Sequence, residues 1–360
     1  MPSLDDLIGV LDQIAPPSIA SPDDRSGLQI GDRHKQVHKV CVAVDPCGVV
    51  IDRAIERNAD VLIAHHPLIY NPLRSVDFSN HIAALVSRLI KADVALFVMH
   101  TNFDSSPGGV NDILAQLLGL TDTDVLLAKR EDHLHKIVVF VPEADVERVR
   151  NAMADAGAGR IGQYTHCSFR SPGIGSFVPL AAAQPYVGSV GKLEEVEEYR
   201  LEMICAGSWL DEVISAMLAA HPYDEVAFDV YRLANEPIAY GYGRVGNLNG
   251  DTTFKEYAEM VIKTLDVKWP KVYGEARRVI RRVAVCSGGG SSLYDDAIRA
   301  GADVYIAGDM RHHDIVDALD RGLCIIDAGH FETEKPGMVE LANILRRIYP
   351  DGRPQIDYVE

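Results

Sequence analysis

Short apolar runs alternate with stretches of helical period along most of this chain. Val40–Val44 and Val61–Ala64 read as buried strands, and Ala95–Met99 as another. Between them, Val49–Arg57 and Ile82–Lys91 carry apolar residues at helical spacing. Such strand–helix alternation predicts an α/β layer with a mostly parallel sheet. The last stretch repeats the theme. AIERNADVLIAHH (54–66) aligns without gaps to AIRAGADVYIAGD (297–309), with seven of 13 positions identical. Upstream, VAV at 42–44 matches VAV at 283–285. Downstream, His100-x-x-x-Asp104 and His330-x-x-x-Glu334 each follow an apolar run. Three matches in the same order indicate an internal duplication.

The middle follows another pattern. Ile137–Val141 is strand-like and Ala144–Ala156 helix-like, with Gly157 and Gly159 closing the helix. A second unit follows: Arg200–Ile204 as strand, Trp209–Ala220 as helix, Val226–Tyr231 as strand. Pro172, Gly173 and Gly175 mark a hairpin-like turn between the units. Two βαβ units in tandem predict a ferredoxin-like α+β plait. The expected class is therefore α/β. Two related halves, 1–128 and 246–360, form one metal-binding domain, interrupted by an insert over 129–245.

Composition narrows the picture. Of the 360 residues, 47% are hydrophobic and 24% charged, a globular balance. A net charge of −17 argues against a general nucleic-acid binder. The one notable basic cluster, Arg277, Arg278, Arg281 and Arg282, flanks a short apolar stretch and reads as an exposed strand start. The six cysteines form no CxxC pair and read as free thiols in a reducing compartment. No signal-like N-terminus or membrane-length apolar run is present, so a cytoplasmic location is expected.

The candidate chemistry gathers at strand ends. His65 and His66 close the run Val61–Ala64 before Pro67, and a bend there would let both imidazoles serve one site. Asp104 follows the next run, and His330 and Glu334 follow Leu323–Ile326. Thr333 and Pro336 suggest a helix beginning between His330 and Glu334, so no shared helix face is assumed for that pair. A lone histidine is more often a surface or satisfied core residue, but an adjacent pair before proline is not the usual case. Asp104 and Glu334 occupy equivalent places in the two halves, and pseudo-symmetric packing would bring both carboxylates to one centre. Three imidazoles and two carboxylates exceed the needs of one four-coordinate zinc and suit two ions. His100 matches His330 in the repeat and is a candidate for proton transfer or for support of a ligand. Asp309 matches His66, which puts it near the site or leaves it as a solvated turn residue. The loop Ser287, Gly288, Gly289, Gly290 offers backbone amides for an anion, or serves simply as a tight strand-to-helix turn. His166, His221 and Asp224 are polar candidates in the insert, with His221 more simply ending a helix before Pro222.

IAHHP (63–67), HTNFD (100–104) and GHFETE (329–334) together resemble the Nif-three-like dinuclear metal-centre family. Its members often carry the name GTP cyclohydrolase 1 type 2 homologue. GLQIG (27–31) and CSGGGSS (286–292) fit the same pattern, and the resemblance covers nearly the whole chain. IGQYTHCSF (161–169), HPYDEVAFD (221–229) and NEPIAYGYGRVG (235–246) are similar to long members with a PII- and CutA-like middle insert. DDRSGLQ (23–29) departs from the family, where many relatives place an aromatic and an Asp-Asn before the glycine. The resemblance implies two divalent metals on His65, His66, Asp104, His330 and Glu334, and a toroidal homohexamer. Zinc leads the candidate ions, with iron, manganese, cobalt and nickel also compatible with this donor set. The family name implies hydrolytic opening of a guanine ring at C8 with release of formate, for which His100 could shuttle protons. Two functions follow as expectations: a metal-dependent hydrolase of a nucleotide or another phosphate-bearing small molecule, or a non-catalytic metal-binding, metal-handling or regulatory protein.

Overall fold

The computed structural model describes residues 1–162 and 164–360; Gln163, within IGQYTHCSF, lies outside them. The chain divides into two compact units, one of residues 1–130 with 240–360, the other of residues 131–239. Among the described residues no helix is long and apolar enough to cross a membrane.

The first unit opens with α1 (Leu4–Ile14), β1 (Gly27–Ile30), β2 (Lys39–Ala43) and α2 (Gly48–Glu56). It continues through β3 (Val61–Ala64), α3 (His81–Lys91), β4 (Ala95–Val98), α4 (Thr101–Ser105), α5 (Val110–Leu117) and β5 (Leu120–Asp132). The second unit holds β6 (Leu134–Pro142), α6 (Val146–Asp155), β7 (Ser168–Phe177), β8 (Glu194–Ala206), α7 (Leu210–Ala220) and β9 (Phe228–Arg232). The chain returns to the first unit as β10 (Ile238–Thr253), α8 (Phe254–Leu265), β11 (Lys271–Tyr273), β12 (Val279–Val285) and α9 (Tyr294–Arg299). It ends with β13 (Val304–Ala307), α10 (His312–Asp320), β14 (Cys324–Asp327), α11 (His330–Ile348) and β15 (Gln355–Tyr358).

The duplication is visible in the sheets. One has the order β1-β4-β3-β2-β15, the other β11-β14-β13-β12-β10-β5. In each, three consecutive strands run parallel, with Val42 opposite Ile63 in the first and Val285 opposite Ile306 in the second. In each, the strand before them returns to lie antiparallel at the far edge. Even the entry helices match. Ser3 and Asp6 form a capping box on α1, and Thr253 and Glu256 form one on α8. β3, β4, β13 and β14 are buried at every position because helices cover both faces, which explains their unbroken apolar runs.

In α11, a helix of the second half, Met338, Leu341 and Leu345 join the core around Val42, Ile63 and Leu7 of the first. Each such side chain contributes about 1.5–3 kcal/mol by burial. Arg244 on β10 adds a polar tie between the halves. It is 2% exposed, and its guanidinium grips both oxygens of Asp112 on α5 and donates to the carbonyls of Gly241, Gly243 and Ser106.

The second unit is an antiparallel sheet of order β7-β8-β6-β9, with the connectivity of a ferredoxin-like plait. The expected turn at Pro172, Gly173 and Gly175 is instead the middle of β7, and residues 178–193 make the connection to β8. Proline is tolerated there because β7 is an edge strand.

Removing one partner of the buried Arg244–Asp112 pair leaves a cation without its counter-charge. Asp112→Ala should lower the apparent unfolding free energy by about 2–3 kcal/mol in urea titration. A loss below about 1 kcal/mol would mean that water already screens the guanidinium.

Candidate metal centre

The residues singled out in both halves of the sequence converge where the parallel strands of both sheets end, the usual place for a ligand in α/β sheets. β3 leads into His65 and His66, β4 into His100, and β14 into His330. The amides of His65 and His66 both bond to the Val44 carbonyl, so the chain leaves the strand ladder there. This turn brings consecutive imidazoles to one side, with ring centroids 5.1 Å apart. His66 and His330 are also 5.1 Å apart, and His65 and His100 are 5.3 Å apart.

α11 begins at His330 with Gly329 as its N-cap, earlier than Thr333 and Pro336 suggested. His330 and Glu334 therefore stand one turn apart on a shared face, with Nε2 and Oε1 3.0 Å apart. Thr333 lies inside the first turn, donates back to the turn's carbonyls and accepts from the Gly288 amide.

Glu334 is 3% exposed and His65 fully buried. His65 Nε2 lies 3.6 Å from Glu334 Oε1 and 3.7 Å from Asp104 Oδ1, and His66 Nε2 lies 3.3 Å from Glu334 Oε2. His65 Nε2 and Glu334 Oε2 are buried with no hydrogen-bond partner. Buried polar atoms are rarely left so. Donors bonded at about 2.0–2.1 Å to one tetrahedral ion stand about 3.3–3.5 Å apart, which is close to these spacings. His66, His330 and Glu334 form one group able to hold a metal ion, and His65, His66 and His100 form another. The residues present thus fit metal ions in number, chemistry and spacing.

Each imidazole is fixed from behind through Nδ1. His65 meets the Met99 carbonyl at 2.7 Å, His66 meets Asp45 at 2.8 Å, His330 meets Asp309 at 2.7 Å and His100 meets Asp24 at 2.5 Å. A proton on Nδ1 leaves the Nε2 lone pair facing the centre, the arrangement that orients metal-binding histidines. Sequence reasoning placed Asp309 near the site but missed Asp24 and Asp45. The signal for Asp45 lay in its position just after the repeated VAV. Asp24 also receives the hydroxyls of Ser26 and Thr101, so the divergent loop 23–29 has a defined task here.

Without a metal, the charges lean on one another. Burial opposes protonation of His66, but the carboxylates of Asp45 and Glu334 prevail and lift it to about 10. Glu334, with Asp309 behind, raises His330 to about 9. Burial likewise opposes charge on His65, and Asp104 and Glu334 outweigh it. The two carboxylates diverge. Burial and the nearby Glu334 push Asp104 up, while the imidazoles overcome burial and hold Glu334 well below the usual range.

The glycine-rich loop serves packing here. Gly288 has φ +61°, and a Cβ there would stand 2.3 Å from Glu334 Oε1. The amides of Ser287, Gly288 and Gly290 bond to Asn111, Thr333 and the Gly288 carbonyl. Those three donors are thereby taken from the expected anion cradle. Ser287 Oγ instead meets Asp104 Oδ1 at 3.1 Å. A cavity of about 420 Å³ opens over the centre, lined by His66, Tyr70, His100, Tyr242 and Leu293 among others.

The chain resembles known proteins over nearly its whole length. Residues 2–359 match the model of the family described as Duf34/NIF3 (NGG1p interacting factor 3). A Bacillus subtilis protein named GTP cyclohydrolase 1 type 2 homolog is 43% identical over 90% of this chain and 87% of its own length. A protein of the same name from Halalkalibacterium halodurans is 41% identical over 90% and 87%. The crystal structure of a Bacillus cereus protein related to NIF3 superposes with a TM-score of 0.83 at 41% identity, covering 100% of this chain and 97% of that one.

Protons hold His66 and His330 at neutral pH in the metal-free protein, and a metal must displace them. Affinity should therefore climb from pH 6 toward pH 9, by about tenfold per pH unit for each proton displaced, and fall as pH drops. Competition with a metal-binding dye across that range measures it. An affinity independent of pH would show that the imidazoles are neutral beforehand.

Proposed function

The chain belongs to the Duf34/NIF3 family, and from that premise we propose that it is a hydrolase working through two divalent ions held by His65, His66, Asp104, His330 and Glu334. The observation that carries this reading is the unmatched buried pair, His65 Nε2 and Glu334 Oε2, amid imidazoles already locked through Nδ1. Glu334 turns Oε1 toward His65 and His330 and Oε2 toward His66, so both of its oxygens would be available as donors to metal. Two divalent ions would acidify water and offset the negative charge that develops during hydrolysis. Zinc suits the imidazole-rich donor set best.

The surrounding residues supply the rest. His100, held by Asp24 through Nδ1, presents Nε2 beside His65 and His66 and can take and return a proton during the reaction. Burial works against the charge on Asp24, but hydrogen bonds from His100, Ser26 and Thr101 keep it ionised, so His100 stays oriented. The cavity over the centre has the size for a small molecule, and Tyr70 and Tyr242 in its lining supply aromatic surface for a planar base. A nucleotide is the proposed substrate class. GTP comes first because relatives at 43% and 41% identity bear the cyclohydrolase name.

Elemental analysis of the gently purified protein should return near two divalent ions per chain. His66→Ala and Glu334→Ala should each lose most of that content, and wild-type protein without metal after reconstitution would refute the centre. With GTP, formate release should depend on metal. His100→Gln should keep the metals while turnover falls about 100-fold, with an altered pH profile. Loss of metal in this variant would place His100 among the ligands instead. We also propose the homohexamer that the family resemblance implies; light scattering should give the mass of six chains, and a monomer would refute it.

A further inference from the structure

The plait carries a cavity of its own, apart from the metal centre and unused by the reaction proposed above. It measures about 800 Å³ and lies between β7, the connection 178–193 and the turn after α7. That volume falls within the range of small-molecule sites. Its polar focus is Glu198, 9% exposed, whose Oε1 accepts the Tyr223 hydroxyl at 2.8 Å. Among the described residues no cation pairs with this carboxylate. Arg200, the one cation in the lining, pairs with Glu202 instead. Gly175 gives Glu198 its place, since a Cβ there would stand 2.2 Å from Oε2.

Three aromatic rings line the same cavity as this carboxylate. Phe177 and Tyr186 stand with ring centroids 6.5 and 6.0 Å from that of Tyr223. Tyr223 is fixed in turn by His221. The His221 Nε2–H donates to the Phe140 carbonyl at 3.0 Å, and Nδ1 accepts the Tyr223 amide at 3.1 Å. His221 thus caps α7 and also sets the cage. Burial, with Glu198 beside it, keeps the Tyr223 hydroxyl protonated, so it remains a donor. Across the cavity the Gln184 amide donates to Asp224, tying the connection to the turn, and Val178, Leu180 and Val187 form an apolar wall.

A buried carboxylate without a cation, in a cavity that aromatic rings also line, selects positive charge, since ring faces attract cations and the carboxylate supplies the counter-charge. An apolar wall beside it accommodates a hydrocarbon body. We propose that the plait binds a small organic cation, an alkyl- or quaternary ammonium compound, with its nitrogen between Glu198 and the rings of Phe177, Tyr186 and Tyr223. This site is independent of the metal centre, so either reading can fail alone.

The test is calorimetric titration of the full-length, metal-loaded protein with choline and with n-butylammonium. The uncharged isostere of choline, 3,3-dimethylbutan-1-ol, is the control. At least one cation should saturate in the millimolar range or below, with the isostere about tenfold weaker or worse. Glu198→Gln should weaken cation binding by about tenfold. Tyr186→Ala, at a half-exposed position whose loss leaves the core intact, should weaken it several-fold. His66→Ala should leave it unchanged. Absence of saturation by either cation, equal binding of the isostere, or undiminished binding in folded Glu198→Gln or Tyr186→Ala would overturn the proposal.

Discussion

A carboxylate enclosed by imidazoles governs this molecule. Burying the charge of Glu334 is costly unless partners meet it, and those partners come from both halves of the chain. The helix that carries Glu334 also carries the apolar face that seals the first half's core. Packing and electrostatics thus constrain one element. If α11 shifted along its axis, Met338 and Leu341 would leave their pockets as Glu334 left the imidazoles. This coupling explains how residues far apart in sequence are held at ligand-like spacings.

The fold was legible where periodicity is strong. The apolar runs of β3, β4, β13 and β14 are unbroken because helices cover both faces, and the aligned segments at 54–66 and 297–309 mark the repeated unit. The plait was legible from its order of elements, but β7 was not. Pro172 and two glycines signal a turn locally, and only the edge position of the strand makes them acceptable. The start of α11 was misplaced for a similar reason. Thr333 resembles a cap, but its hydroxyl bonds within the turn and to Gly288, a partner distant in sequence.

His65, His66, Asp104, His330 and Glu334 stood out by type and spacing, and folding brings them together. The aspartates behind the imidazoles were harder to see. Asp24, Asp45 and Asp309 lie in loops of ordinary composition and gain their task only when strands pair. The repeat clarifies one of them. Where the first half has His65-His66, the second has Gly308-Asp309. A Cβ at Gly308 would stand 2.6 Å from the His330 amide, so the glycine admits α11 while the aspartate orients its first residue. The halves share a scaffold and divide the chemistry between them.

The route by which the chain leaves and re-enters the first unit has a consequence for its history. β5 and β10 are neighbours in one sheet, with Gly241 packed on Leu127 and Gly246 on Thr121, so the plait occupies the place of a hairpin loop. A gap between paired strands closes with about two to five residues. A domain seated there can be acquired, exchanged or lost in evolution while the surrounding ladder and α/β cores keep their register. Change within the plait can therefore accumulate without disturbing the α/β scaffold that carries the candidate metal centre.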